Sequence, residues 1–238
     1  MPTSRTARTA RERVREEMTA EILAAAREHL AEEGAAALSL RSVARDLELA
    51  PSALYRYFDG RDALLSALIM AAYESLAADA ERAADEAAHQ AGSSDAERWL
   101  DVPRAMRRWA LERPHEWGLI FGTPVPGYQA PQDTVEPYAR VGSALARPAL
   151  EAKSAGRLRA DAPVGAGSEK LRKAVAPVAE GLSLDLPVEM VVRFVQAWST
   201  LVGVISLEVF GHWRNTILDP EALFEVTVRT LAEDLGLA

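Results

Sequence analysis

Apolar residues in this chain recur three and four positions apart, and the runs they form end at glycines and prolines. Met18, Ile22, Leu23, Ala26 and Leu30 make one run, closed by Gly34. Leu40, Val43, Ala44 and Leu47 make a second, with Ser39 placed to cap it. Residues spaced this way fall on one face of an α-helix, whereas a half-buried strand needs every second residue apolar. No stretch offers a convincing period of two, so the fold is predicted to be all-α. Hydrophobic residues are 49% of the 238, enough for the helices to pack around a core instead of remaining a disordered chain.

The breakers then divide the chain. Pro51 suits the first turn of a short third helix carrying Leu54 and Phe58 inward. Asp59-Gly60 ends it, and Asp59 is placed to cap a long helix from about Arg61 toward His89. The Gly92 to Asp95 loop precedes a helix to about Glu112, followed by a short one over Pro114 to Phe121. Pro124, Pro126, Gly127 and Pro131 exclude any helix between Gly122 and Pro131. Further helices are expected over Asp133 to Lys153, Glu169 to Glu180, Pro187 to His212 and Pro220 to Leu235, the last capped by Asp219.

Ser39 to Phe58 is the informative stretch. Two short helices joined by a tight turn cross steeply only where their contact residues are small or well shaped. Ala44 provides the small contact, Leu49 plugs the turn, and Leu54 and Phe58 pack back. Ser52, Ala53, Tyr55, Arg56 and Tyr57 are left facing outward. Two tyrosines and an arginine suit a helix laid in the major groove better than a solvated face. A generic helical hairpin would have the same spacing.

The residues themselves go further. Leu38-Ser39-Leu40-Arg41-Ser42-Val43-Ala44-Arg45, Pro51-Ser52-Ala53-Leu54-Tyr55-Arg56-Tyr57-Phe58 and Arg61-Asp62-Ala63-Leu64-Leu65 together closely resemble the TetR family of bacterial regulators. The resemblance covers about Thr19 to Leu65. It implies a flexible basic arm over 1–17, a helix-turn-helix DNA-binding domain of three helices over 18–62, and a larger helical ligand-binding and dimerisation domain over 63–238. It also implies DNA contacts from Arg41, from the recognition-helix residues Ser52, Ala53, Tyr55, Arg56 and Tyr57, and a phosphate contact from Arg61. Two positions depart from the family: Glu48 stands where glycine is favoured in the turn, and Ala50 where a serine or threonine cap is usual.

Beyond this part, Trp117-Gly118, the Gly122 to Tyr128 loop and Trp198 through Gly211 resemble an actinobacterial subgroup with a Trp-His-Gly domain, although Val202 stands where its histidine is expected. Trp109, Trp117, Phe121 and Tyr128 concentrate aromatic surface in the middle of the chain. They serve either core packing or an apolar pocket oriented by Arg107, His115 and Gln129. Trp198, Leu201, Val202, Ile205, Phe224 and Val228 belong to an unusually wide apolar arc on the closing helices. With the family resemblance, that arc reads as a homodimer interface.

The expected function is therefore a transcriptional repressor, homodimeric on palindromic double-stranded operator DNA and released by a small apolar effector. The net charge of −8 does not oppose this, because net charge does not show where a field points. Arg5, Arg8, Arg11, Arg13 and Arg15 face only Glu12 at the start of the chain, as a solvated tail or a phosphate-binding arm would. The absence of cysteine excludes disulfides and thiolate metal sites and fits a cytoplasmic location. The longest uncharged apolar stretch, Phe194 to Leu207, is short of the roughly 20 residues a bilayer needs, so no membrane role is expected. No phosphate loop, zinc-protease helix or nucleophile elbow appears, and neither enzyme activity, cofactor nor metal is expected. The enzyme alternative is a di-metal oxidase bundle using Glu86 with His89 and Glu112 with His115, each a Glu-x-x-His pair. Pro114, inside the second pair, argues against it.

Overall fold

The computed structural model describes residues 10–129, 131, 134–159 and 169–237. Among these residues no strand occurs. The helices are α1 (Ala10–Glu33), α2 (Leu40–Asp46), α3 (Pro51–Leu54), α4 (Arg61–Ala88), α5 (Asp95–Glu112), α6 (Pro114–Phe121), α7 (Val135–Ser154), α8 (Glu169–Gly181), α9 (Val188–Val209) and α10 (Pro220–Asp234). The chain forms two compact units. Unit 1 holds the residues up to Ala71 together with the loop Thr123–Pro131, and unit 2 holds Ala72–Gly122 and the residues from Gln132 onward.

In unit 1, α1 buries Ile22, Ala25, Ala26, His29 and Leu30, and stops at Gly34, whose φ of 79° suits a residue without a Cβ. The expected arm over 1–17 is thus helical from Ala10, and its first nine residues lie outside the described ones. Ser39 caps α2 by accepting hydrogen bonds from the Arg41 and Ser42 amides at 3.2 and 3.5 Å. The turn after α2 closes through the Leu49 amide, which donates to the Ala44 carbonyl at 2.8 Å. Glu48 sits in that turn at φ 55°, a left-handed conformation that costs a non-glycine residue about 1 kcal/mol. His29 Nε2 lies 2.5 Å from Asp46 Oδ2 and ties α1 to the end of α2. At the start of α4 the Leu64 amide donates to the Gly60 carbonyl at 3.2 Å, the first bond of the helix. The loop 123–131 is fastened within unit 1 by a 2.9 Å hydrogen bond between the Tyr128 and Ser66 hydroxyls.

In unit 2, α5 packs on α6, α7, α9 and α10. Its start is fixed by a reciprocal box in which Ser94 Oγ accepts from the Glu97 amide and Glu97 accepts from the Ser94 amide. Trp99, Trp109 and Trp117 are fully buried at the centre. Trp109 donates its indole N–H to Ser75 Oγ and Trp117 to Ser206 Oγ, both at 3.0 Å, so neither polar tip is stranded. Pro103, Pro148 and Pro177 lie inside α5, α7 and α8. Each removes a backbone donor, and these helices persist because their faces are buried on neighbours.

Length and composition alone would let two helices cross a membrane: windows of α4 and α9 have mean hydropathy 1.4 and 1.6. This corrects the expectation built on Phe194 to Leu207. About half of each window is buried inside the protein, as in the core helices of a soluble domain.

Candidate nucleic-acid interface and apolar cavity

Unit 1 separates its residues sharply into two sets. Leu40, Val43, Ala44, Leu54 and Phe58 are buried, while Arg41, Ser52, Tyr55 and Arg56 are exposed. Tyr55 leaves 53% of its surface to solvent, although nothing in packing requires so large a ring to be there. Ala53 and Tyr57 are half-buried. The α-helical part of the second helix is only four residues long. Residues 55–57 continue it as a turn, held by the Arg56 amide on the Ala53 carbonyl and the Tyr57 amide on the Leu54 carbonyl.

Arg61 departs from the sequence reading. Its Nε donates to the Leu38 carbonyl at 3.1 Å and its Nη2 to the carbonyls of Ala35 and Ala36 at 2.9 and 3.3 Å. Nη1 lies 3.4 Å from Asp62. In place of the expected phosphate contact, Arg61 is a strut that satisfies carbonyls of the short segment between α1 and α2, with its Nε and Nη2 already in use.

Unit 2 contains a cavity of about 300 Å³. α7 contributes Val135, Tyr138, Ala139 and Gly142, α8 and its end contribute Pro177, Val178, Gly181 and Leu182, and α9 contributes Phe194, Val195 and Trp198. None of these side chains is charged. A connected series of rings runs inward from its wall: Tyr138 to Trp198 at 5.4 Å, Trp198 to Phe121 at 6.1 Å, Phe121 to Trp117 at 4.4 Å, and Trp117 to Trp109 at 6.5 Å. Tyr73 joins edge-on to both Phe121 and Tyr138. Burial raises the Tyr138 phenol above its ordinary range, with a hydrogen bond from Trp198 opposing the shift.

Residues 22–68 match the family described as bacterial regulatory proteins, tetR family, and residues 99–231 match the tetracyclin repressor-like C-terminal domain. The HTH-type transcriptional regulator Rv1816 of Mycobacterium tuberculosis is 35% identical over 229 residues, covering 93% of this chain and 94% of that protein. The chain belongs to the TetR family of transcriptional regulators. The crystal structure of the regulatory protein SCO4313 agrees, at 36% identity and a TM-score of 0.76 over 94% of this chain and 100% of that one. A protein of unknown function from Rhodococcus sp. RHA1 shares the fold at 24% identity and a TM-score of 0.63, over 97% of this chain and 100% of that one.

Within this TetR regulator the expected ligand residues do not line the cavity. Trp109 and Trp117 are core with satisfied indoles. Arg107 is held by Glu208 through two bonds of 2.8 and 2.7 Å. His115 is exposed, Phe121 stands inside the ring series, and Tyr128 and Gln129 belong to unit 1. The cavity instead uses Tyr138 and Trp198. Sequence alone showed the aromatic density but not which rings end at empty space.

The dimer residues need a similar correction. Leu201, Ile205, Phe224 and Val228 are buried inside this chain, Trp198 walls the cavity, and Val202 is half-buried against the core. The large apolar groups that α9 and α10 leave exposed are Leu207, Leu223 and Val226, with Phe210 and Leu218 just beyond α9.

The oxidase alternative has no geometry to support it. Among the described residues no three His, Asp or Glu side chains converge as a metal site would need. Glu112 ends α5 while His115 lies in α6, and His89 falls past the end of α4 with its Nδ1 2.7 Å from the Asp85 carbonyl oxygen.

Proposed function

We propose that this regulator represses transcription as a cytoplasmic homodimer on a palindromic operator, and that a neutral, apolar effector releases it. The observation that carries the reading is the outer face of α2, α3 and the turn that continues α3, where Arg41, Ser52, Tyr55 and Arg56 stand exposed over an apolar inner face. These side chains supply phosphate donors and groove-reaching tips, and paired copies would read half-sites about 34–36 Å apart or a multiple of that. Tyr55→Ala is expected to remove preference for the regulator's own upstream DNA over random duplex in a gel shift, while the protein stays folded. Retained preference would overturn the assignment of the recognition face.

For the effector, support comes from the uncharged cavity among α7, α8 and α9. Gly142 and Leu182 both line the cavity, and a Cβ at Gly142 would already press on Leu182 at 3.1 Å, so Gly142→Leu crowds Leu182 toward the space a ligand would occupy. The fluorophore N-phenyl-1-naphthylamine, a neutral aromatic probe, is expected to bind wild type, bind Gly142→Leu weakly, and bind less tightly when operator is present. Reciprocity requires the same factor in both directions, about 5- to 150-fold for a typical coupling. Equal probe affinity with and without DNA would refute the switch. α4 runs continuously from unit 1 into unit 2 and is the natural element to carry it.

For the dimer, support comes from Leu207, Leu223 and Val226, and from Gly203, above whose Cα there is open space for a close helix approach. Val226→Glu is expected to give folded monomers in sedimentation. Leu201→Glu, in the core, is expected to unfold the chain instead.

A further inference from the structure

We propose that the first turns of α1 form part of the DNA interface: Arg11 and Arg15, with Arg56 and Tyr57, hold the phosphate backbone of duplex DNA. The inference rests on the reading of unit 1 as DNA-binding and adds a surface outside the helix-turn-helix. Ala10, Arg11, Val14, Arg15, Arg56 and Tyr57 line one open cleft of about 490 Å³. Arg11 and Arg15 stand one helical turn apart and so share an edge of α1. The Arg15 guanidinium lies 5.8 Å from the centre of the Tyr57 ring, which holds the charge over the cleft without neutralising it.

Three guanidinium groups around one space repel one another unless an anion sits among them. Among the described residues none of the three has a carboxylate partner, and no acidic side chain lines the cleft, although Glu12 and Glu16 lie on the same turns of α1. The occupant is argued from continuity: Arg56 and Tyr57 belong both to this cleft and to the recognition turn, so an anion held here is in line with whatever Tyr55 reads. Duplex DNA presents such anions in a row. Arg61 has its Nε and Nη2 donors committed to the carbonyls of Leu38, Ala35 and Ala36, so Arg11 and Arg15 of α1 add free charge to that of Arg41 and Arg56.

The test measures the affinity of the full-length protein for a fluorescein-labelled random-sequence duplex by anisotropy across a range of salt. Arg11→Ala/Arg15→Ala is expected to lower the magnitude of the log–log salt slope by about 1.8 per bound subunit, since each phosphate contact contributes about 0.9. Between about 50 and about 200 mM salt, the wild type then loses roughly 12-fold more affinity than the variant. Arg11→Lys/Arg15→Lys keeps the charge and is expected to keep the slope. Both side chains are exposed, so an unchanged thermal midpoint shows that the fold is intact. A wild-type slope in the alanine variant would overturn the clamp and leave the helix-turn-helix reading standing. A wild type that binds no duplex at any salt would overturn both.

Discussion

The two units use arginine in opposite ways. In unit 2 the guanidinium groups join helices: Arg104 reaches Glu225 at 2.6 Å, Arg107 reaches Glu208 at 2.7 Å, Arg140 reaches Glu81 at 2.7 Å, Arg147 reaches Asp85 at 2.6 Å and Arg157 reaches Asp95 at 2.7 Å. The carboxyls of Glu81, Asp95 and Glu225 are held below the usual range, first by the hydrogen bonds these arginines donate. In unit 1, Arg11, Arg15, Arg41 and Arg56 have no carboxylate partner among the described residues, and Arg61 is bonded mainly to backbone carbonyls. A surface of paired charges spends its field internally, whereas unpaired charges on one face leave it available to a partner. The net charge of −8 is therefore no measure of the local field around Arg11, Arg15, Arg41 and Arg56, which stand exposed.

The comparison can be broken from either side. The largest effect is expected at Arg107, whose pair with Glu208 is mostly shielded, the side chains being 17% and 13% exposed. Arg107→Ala leaves a carboxylate without its partner and should cost up to about 3 kcal/mol in urea unfolding. Replacing both partners, as Arg107→Met/Glu208→Leu, should recover most of that loss. Next is Arg61, the exception in unit 1. Arg61→Ala should cost about 2 kcal/mol of stability by freeing the carbonyls of Ala35 and Leu38, and leave the DNA salt slope unchanged. A flattened slope would return Arg61 to the phosphate role expected from sequence.

The third test concerns pH. Burial, and then the neighbouring Tyr138, raise Tyr73 to about 12 from 10.0. The folded chain therefore keeps a proton that the unfolded chain loses above pH about 10. Its contribution is full below pH 10 and falls as pH rises toward 12, which should appear as a dropping urea midpoint. Tyr73→Phe should weaken that alkaline dependence, leaving the part that buried Tyr138 contributes, and cost about 1 kcal/mol at neutral pH, because the hydroxyl donates to the Ile120 carbonyl at 3.2 Å. The smallest stability effect should be at Arg56, exposed and unpaired. Arg56→Ala should change stability by less than about 0.5 kcal/mol, yet lower the salt slope by about 0.9. A large loss of stability there would mean that unit 1 also uses its arginines structurally.

Much of the helix-turn-helix was legible because its signals are local. Ser39 and Asp219 cap as their positions suggest, Pro51 opens α3 and Pro114 opens α6. The division into helices with buried inner faces follows from spacings within single elements. The cavity was less legible. Trp117 and Trp198 are the same residue type in similar apolar surroundings, but one is buried in the core with its indole on Ser206, while the other, bonded to Tyr138, walls the cavity. No local pattern encodes that difference, since it depends on which of three helices meet.

By itself, then, the sequence determined the all-α class, the helix boundaries to within a few residues, and the motif over Ser39 to Phe58. These depend on periodicity, capping and turn chemistry within one element or between neighbours in the chain. Tertiary structure alone decided which side of the wide apolar arc faces inward, so that Leu201 and Ile205 became core while Leu207 and Val226 remained outside. It also decided the role of each arginine, because a guanidinium is identical in sequence whether or not a carboxylate arrives from 101 residues away, as Glu208 does to Arg107. Burial and pairing are properties of what surrounds a side chain, and distant parts of the chain supply those surroundings only once the helices have packed.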